Sequence, residues 1–345
     1  MKQLACIFSF FNCFCFAQPK TNVLFIGNSF THMNNMPKLF EQLANSKGKN
    51  VYADSIAVSG STLKAHSERP STYSKMKKFQ WDYVFVQGFS REFAEDSSVI
   101  KTNSIPYAKI LIDSVLKYSP CAKIYFYMTW GYEKGYPQQP ANDTYEKMQQ
   151  RVYNGYMLMS DSLQYPVAPT GMVWKNIREN HPNLDLYFTD RYHPNIFGSY
   201  VAACTAFTSI YKESPIGGAF PKKIDSLGAK IIQSAAANIV LKNLAIFKLD
   251  RTKKVDIKET PILDFKIKET WLAAQFTNVS NNKGDYYWEF GDGTSSIKKN
   301  PKHYYKKSGT YTVTLYIKQN CNTFSLKKRV TVSNLEKHAN QVKIK

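Results

Sequence analysis

Three side chains in this sequence have the types and the chain order that acyl transfer needs. A serine hydroxyl attacks a carbonyl only when a neighbouring base takes its proton and nearby donors hold the charge that develops on the carbonyl oxygen. Ser29 lies in VLFIGNSFTHMNNM (23–36), where four apolar residues run into Gly-Asn-Ser and then into polar, turn-prone chain. Much later, LYFTDRYHPNIFGSYVAA (186–203) carries Asp190 and His193 three apart, in a turn that opens a helix. That spacing lets a carboxylate hold one ring nitrogen while the other faces the serine, and Pro194 restrains the turn. Other histidines are poorer bases: His32 follows Ser29 too closely to double back, and His66 and His181 lack an acid at matching spacing and read as surface residues. No cluster of His, Cys, Asp or Glu has metal-ligand spacing, so the expected chemistry uses no metal and no cofactor.

The elements that must position these groups can be read from hydrophobic periodicity. Val23 to Ile26 show no alternation, which suits a parallel strand covered on both faces and leaves Ser29 at its carboxyl edge, where open α/β sheets bind ligands. Further strands are expected at 51–58, 82–87, 123–128 and 165–169. Helices are expected over 37–48, and amphipathic ones over 106–118, 144–163 and 196–212. The alternation from 20 to about 215 predicts an α/β class fold, a three-layer α/β/α sandwich on a parallel five-stranded sheet. Residues 222–248 read as a terminal helix that packs back on it. From Pro261 onward the texture changes to short alternating segments and turn signals (LDFKI, WLAAQFTNVS, YYWEFGDG, GTYTVTLYI, SLKKRVTV), which predicts a small antiparallel β-sandwich.

A chain of 345 residues suits two domains. The opening MKQLACIFSFFNCFCFAQ places Lys2 before an apolar stretch from Leu4 to Phe16, with Cys15 and Ala17 at the minus-three and minus-one positions of a cut before Gln18, the layout of a secretory signal peptide. That stretch is too short for a stable membrane span, and no other segment is uninterruptedly apolar for long enough. The expected layout is a signal peptide over 1–17, the α/β domain over 18–248, a linker over 249–260, the β domain over 261–335 and a tail over 336–345. Cys121, Cys204 and Cys321 form no framework after removal of the signal and read as packing residues. The formal charge is +20, from 46 Lys and Arg against 26 Asp and Glu. It favours acidic partners if it is not simply a basic, soluble surface, but no dense basic block marks a nucleic-acid binder. Residues 250–345 alone hold 19 Lys and Arg against 9 Asp and Glu.

With Gly27-Asn28-Ser29 after the first strand and Asp190-Arg191-Tyr192-His193 before the last helix, residues 20 to about 215 resemble the SGNH (GDSL-type) hydrolase family. The resemblance implies a flavodoxin-like fold and esterase, lipase or carbohydrate O-deacetylase activity. It implies Ser29 as nucleophile, His193 as general base and Asp190 as its partner, with the backbone N–H groups of Ser29 and of Gly60, in VSGSTL, as oxyanion donors. The family's third donor is the asparagine of a Gly-x-Asn after the third strand. Here VFVQGFSREF places Ser90 at that position, so either the Ser90 hydroxyl or the Gln87 amide would substitute.

The loop MTWGYEKGYPQQP (128–140) follows the fourth strand, so Trp130, Tyr132 and Tyr136 are expected on the rim that carries Ser29, where aromatic faces stack on sugars. Trp174, in PTGMVWKN, is either cleft wall or core. With no long apolar lid, the expected substrate is a small acyl group on a carbohydrate or polysaccharide. YYWEFGDGTSS with HYYKKSGTYTVTLYI, through Trp288, Gly291, Asp292, Gly293 and the Gly309-Thr310-Tyr311 strand, resembles the PKD domain, an immunoglobulin-like sandwich common in exported bacterial proteins. The resemblance implies a spacer or a glycan contact and an exported bacterial protein: periplasmic, cell-surface or extracellular. The replacement of the asparagine by Ser90 leaves a second reading, a glycan-binding or surface-interaction protein on a non-hydrolytic SGNH fold.

Overall fold

Val23, Leu24, Phe25 and Ile26 are fully buried, and they form the middle of a strand flanked by parallel neighbours on both sides. In the computed structural model, described for residues 20–136, 143–251, 262–281, 284–319 and 321–333, this strand is β1 (Thr21–Gly27). It pairs with β2 (Val51–Ala57) and β3 (Tyr83–Val86); β3 pairs with β4 (Lys123–Tyr127), and β4 with β5 (Val167–Ala168). The order β2-β1-β3-β4-β5, all parallel, is the flavodoxin-like doubly wound arrangement, with its switch point between β1 and β3. Helices α1 (Ser29–His32), α2 (Met36–Ser46), α3 (Leu63–Ser67), α4 (Pro70–Lys77), α5 (Ser97–Asn103), α6 (Ile105–Tyr118), α7 (Tyr145–Leu163), α8 (Thr170–Asn180), α9 (Ile196–Tyr211) and α10 (Ser226–Lys242) complete the unit.

The local reasons are those periodicity supplies, with two exceptions. α9 is not amphipathic as expected: every residue from Gly198 to Ile210 is buried, and α2, α8 and α10 all pack on it. The predicted helix over 222–248 is α10 alone, ending at Lys242; turns follow, and the Phe247 carbonyl accepts from Val167 N–H at 3.0 Å on the edge strand. α3, α4, α5 and α8 were not expected, α8 starting directly at Thr170. His66, expected at the surface, is fully buried.

The remaining strands form a separate unit, β6 (Phe265–Thr270), β7 (Ala273–Asn278), β8 (Asp285–Glu289), β9 (Ser295–Ser296), β10 (Lys302–Tyr304), β11 (Gly309–Gln319) and β12 (Asn322–Val332). They make two antiparallel sheets, β10-β7-β6 and β12-β11-β8-β9. Inward residues from both, Phe265, Phe276, Trp288, Val313, Leu315 and Ile317, are fully buried and form its core. Gly291 (φ +83°) and Gly293 (φ +86°) bound a tight turn whose first glycine lies against the Thr312 backbone, where a Cβ would meet the carbonyl oxygen at 2.6 Å. Asp292 between them accepts from Thr294 and pairs with His303 at 2.7 Å, and the His303 ring is stacked 4.0 Å from Phe290.

Of the three cysteines beyond residue 20, Cys204 is a buried free thiol, whereas Cys121 and Cys321 are each disulfide-bonded, which corrects the reading of all three as packing residues. The expected signal peptide, almost all of the expected linker, the expected tail and part of the loop over 128–140 lie outside the described residues. Among the described residues no helix is long and apolar enough to cross a membrane, and no cluster of three or more His, Cys, Asp or Glu could hold a metal ion.

Candidate active site

Ser29 begins α1 directly after β1, and the residue before it makes that position possible. Asn28 caps α1: its Oδ1 accepts from Phe30 N–H at 3.1 Å and from Gln87 Nε2 at 3.0 Å. Its Nδ2 donates to the carbonyls of Ser61 at 3.2 Å and Gly88 at 3.3 Å. One buried amide therefore ties the turn after β1 to the loops after β2 and β3. Gln87, also buried, completes the bracket: its Oε1 accepts from Asn28 N–H at 3.0 Å and from the Thr31 hydroxyl at 2.8 Å, and its Nε2 also donates to the Gly88 carbonyl. Gly27 is glycine because a Cβ there would lie 2.4 Å from both Gln87 Oε1 and Thr31 Oγ1.

The loop between α8 and α9 brings the second half. His193 Nε2 lies 2.7 Å from Ser29 Oγ, and His193 Nδ1 lies 2.7 Å from Asp190 Oδ2, although Ser29 and His193 are 164 positions apart. Asp190 Oδ1 further accepts from the backbone N–H groups of Tyr192 at 3.1 Å and His193 at 3.0 Å. Partial burial alone would raise the Asp190 pKa, but these hydrogen bonds outweigh it and hold the group below the usual carboxylate range, so it is ionised and an acceptor at neutral pH. The His193 ring, with a carboxylate on Nδ1, is then set to accept the serine proton on Nε2.

Several contacts hold this loop to the serine. Asn34, at φ +53°, donates from Nδ2 to the Pro194 carbonyl at 3.2 Å and to Ser199 Oγ at 2.9 Å, linking the segment after Ser29 to the start of α9. Asn195 caps α9 by accepting from the N–H groups of Phe197 and Gly198. Arg191, at φ +65°, turns away from the triad and is clamped between Glu133 and Asp185, with Nε to Glu133 Oε2 at 2.8 Å and Nη1 to Asp185 Oδ2 at 2.7 Å. A cavity of about 320 Å³ beside that clamp is lined by Glu133, Arg178, Asp185, Tyr187 and Arg191 among others, and by no member of the triad.

The expected oxyanion donors fall in two groups. The Ser29 and Gly60 N–H groups have no protein acceptor among the described residues, and Gly60 sits exposed at φ +70° in the turn after β2. Gln87 is different. Its four hydrogen bonds are all spent inside the bracket, which removes it as an alternative to Ser90. Ser90 Oγ lies 2.7 Å from the Tyr132 hydroxyl. Burial pushes the Tyr132 phenol up against the opposing effects of Ser90 and Arg91, so it stays protonated and can donate. The loops carrying Gly60 and Ser90 are joined by Glu92, which accepts from Phe89 N–H at 2.7 Å and Leu63 N–H at 3.3 Å.

The four aromatics expected at the rim separate in the same way. Trp130 is fully buried, which corrects its placement at the rim, and Trp174 is fully buried as well, the core alternative of its reading: they form a stack with Phe30, at 4.6 Å for Phe30–Trp130 and 4.1 Å for Trp130–Trp174. α8, which carries Trp174, packs against α7 and α10, so this face is interior. Trp130 Nε1 donates to the Tyr192 carbonyl at 3.0 Å, so the stack supports both Ser29, through Phe30, and His193. Tyr132 and Tyr136 are only half-buried. Sequence reading missed Asn28, whose place as a helix cap was the available signal, and Tyr192, whose ring lies 4.4 Å from His193 and 5.1 Å from Tyr132. His32, a rival base, bonds Ser59 Oγ at 2.8 Å, and His66 is occupied by the Gly27 carbonyl at 2.7 Å and Thr72 Oγ1 at 3.2 Å.

Comparison with known proteins decides the architecture. Residues 264–333 match the PKD domain family, and residues 70–239 match a domain of unknown function, DUF4886. A DUF4886 family protein from Bacteroides uniformis is similar in structure, with 19% identity, TM-score 0.57, and 69% of this chain and 99% of that chain covered. The chain thus has an α/β fold like that of the Bacteroides uniformis protein, followed by a region that matches the PKD domain family. A protein from Slackia heliotrinireducens described as a candidate SGNH hydrolase aligns with 21% identity and TM-score 0.45, over 55% of this chain and 99% of that one. Collagenase ColA of Bacillus cereus is 34% identical over 82 residues; the match spans 24% of this chain and only 8% of the collagenase.

Proposed function

We propose that this chain is an exported serine esterase that removes acetyl or other small acyl groups from carbohydrate. The observation that carries the reading is the unbroken Ser29–His193–Asp190 hydrogen-bond chain, both links 2.7 Å, at the carboxyl edge of the sheet. Ser29 Oγ attacks the ester carbonyl while His193 Nε2 takes its proton; the developing oxyanion is met by the Ser29 and Gly60 N–H groups and by the Ser90–Tyr132 hydroxyl pair. As the tetrahedral species collapses, the proton on His193 passes to the leaving sugar hydroxyl, leaving an acyl-serine. Water, deprotonated by His193, then releases the acid and restores Ser29. Asp190 keeps the imidazole oriented and stabilises its cationic form.

A small acyl group is favoured because fully buried Trp130 and Trp174 leave tyrosines, with polar hydroxyls, to line the rim. The apolar segment after Lys2 and the disulfide-bonded state of Cys121 and Cys321 support export to an oxidising compartment. The PKD match, in a stretch from residue 250 onward that carries about half of the chain's surplus positive charge, supports a glycan contact. Aryl acetate turnover by the purified chain tests the reading. Ser29→Ala should lower kcat by at least about 10³-fold and Asp190→Asn by at least about 10²-fold, with an unchanged circular dichroism spectrum. Wild-type protein inert toward acetyl, butyryl and glycan esters would instead support a non-hydrolytic glycan binder.

A further inference from the structure

The wall of the site holds a cation that acyl transfer leaves unused. Arg91 follows Ser90, and its guanidinium lies 4.5 Å from the Tyr136 ring centroid and 5.3 Å from that of Phe89 while donating to the Tyr136 hydroxyl. The Tyr136 ring is 6.2 Å from Tyr132, Tyr132 is 5.1 Å from Tyr192, and Tyr192 is 4.4 Å from His193. Three tyrosines thus form a continuous surface from the general base to the guanidinium. Among the described residues no carboxylate forms an ion pair with Arg91: Asp143 is taken by Arg151 and Tyr136 N–H, Glu133 by Arg191, and Glu92 Oε2 by Phe89 and Leu63 N–H. An arginine laid over aromatic rings, with no acid partner among the described residues, keeps planar N–H donors that fit a carboxylate in two-point geometry.

We propose that this wall is a subsite for a sugar acid, so that the preferred substrate is an acylated acidic glycan. The carboxylate sits on Arg91 and the ring of the acylated or adjoining sugar lies along Tyr132 and Tyr192, presenting its ester to Ser29. This rests on the esterase reading and adds a substrate class to it. The test uses the full chain and an O-acetylated galacturonate oligosaccharide in two forms, with its carboxylates free and with them masked as methyl esters. Wild type should show kcat/KM at least about 10-fold higher for the free form; in Arg91→Gln the ratio should fall toward one, and Arg91→Lys should retain part of it. An O-acetylated sialic acid compared with its methyl ester distinguishes the other source of the same carboxylate, and an Arg91-dependent ratio with either acid supports the subsite. A ratio near one with both in wild type, or an equal ratio in Arg91→Gln, overturns it. Ser29-dependent aryl acetate turnover accompanying such a result would leave the esterase reading standing, whereas its absence would remove both.

Discussion

At residue 28 a short amide does the work of three separate anchors, and this explains why its neighbour Gln87 cannot serve the reaction. Both side chains are buried and their hydrogen-bonding groups are satisfied by each other and by the loops around them. The sequence left Gln87 and Ser90 open as alternatives because spacing fixes which loop a residue occupies but not which way its amide points. Ser29, Asp190 and His193 were legible because chain order and strand ends constrain them strongly; Trp130 was misplaced, and Trp174 left open between wall and core, because an aromatic after a strand can turn to either side of the sheet edge. His66 gives a prediction at this scale. Burial pushes its pKa down, against the hydrogen bond to the Gly27 carbonyl and aided by Arg69, so the folded protein holds it neutral. An unfolded histidine takes a proton near about pH 6.5. The unfolded state therefore binds more protons below that pH, and stability falls as pH drops through it. The unfolding midpoint should drop more between pH 7.5 and 5 in wild type than in His66→Gln, whose amide can still donate to Gly27; equal drops would refute this.

Among the elements, the stack of Phe30, Trp130 and Trp174 joins α1, the loop after β4 and α8 beneath the two halves of the site. It is worth more than its buried area, because one ring adjoins Ser29 and another hydrogen-bonds the backbone beside His193. Trp130→Phe keeps an aromatic ring in the stack and removes the donor to the Tyr192 carbonyl. It should cost about 1 kcal/mol in stability by denaturant titration, and lower kcat more than it raises KM as His193 loses its support. Trp130→Ala should cost about 3–5 kcal/mol. α9 shows the limit of periodicity reading. Its buried face was visible in the pattern, but its opposite face is apolar too, and only the docking of α10, which lies later in the chain, accounts for that.

Over the whole molecule, charge and chemistry are distributed unequally. The triad lies in the α/β unit, while residues from 250 onward carry 19 basic against 9 acidic groups. Attraction of an acidic polysaccharide to such a surface is screened over about 10 Å at 0.1 M salt and about 3 Å at 1 M. Raising salt across that range should weaken retention of the chain on immobilised polygalacturonate at least about 10-fold, and leave aryl acetate turnover nearly constant; unchanged retention would show that the surplus charge is idle. The 164 positions between nucleophile and base have a further meaning for the history of each molecule. A ribosome delivers Ser29 early and His193 late, so a growing chain cannot join the two until most of the α/β unit has emerged. Under the proposed esterase reading, a fragment ending before Asp190 would carry Ser29 without its base.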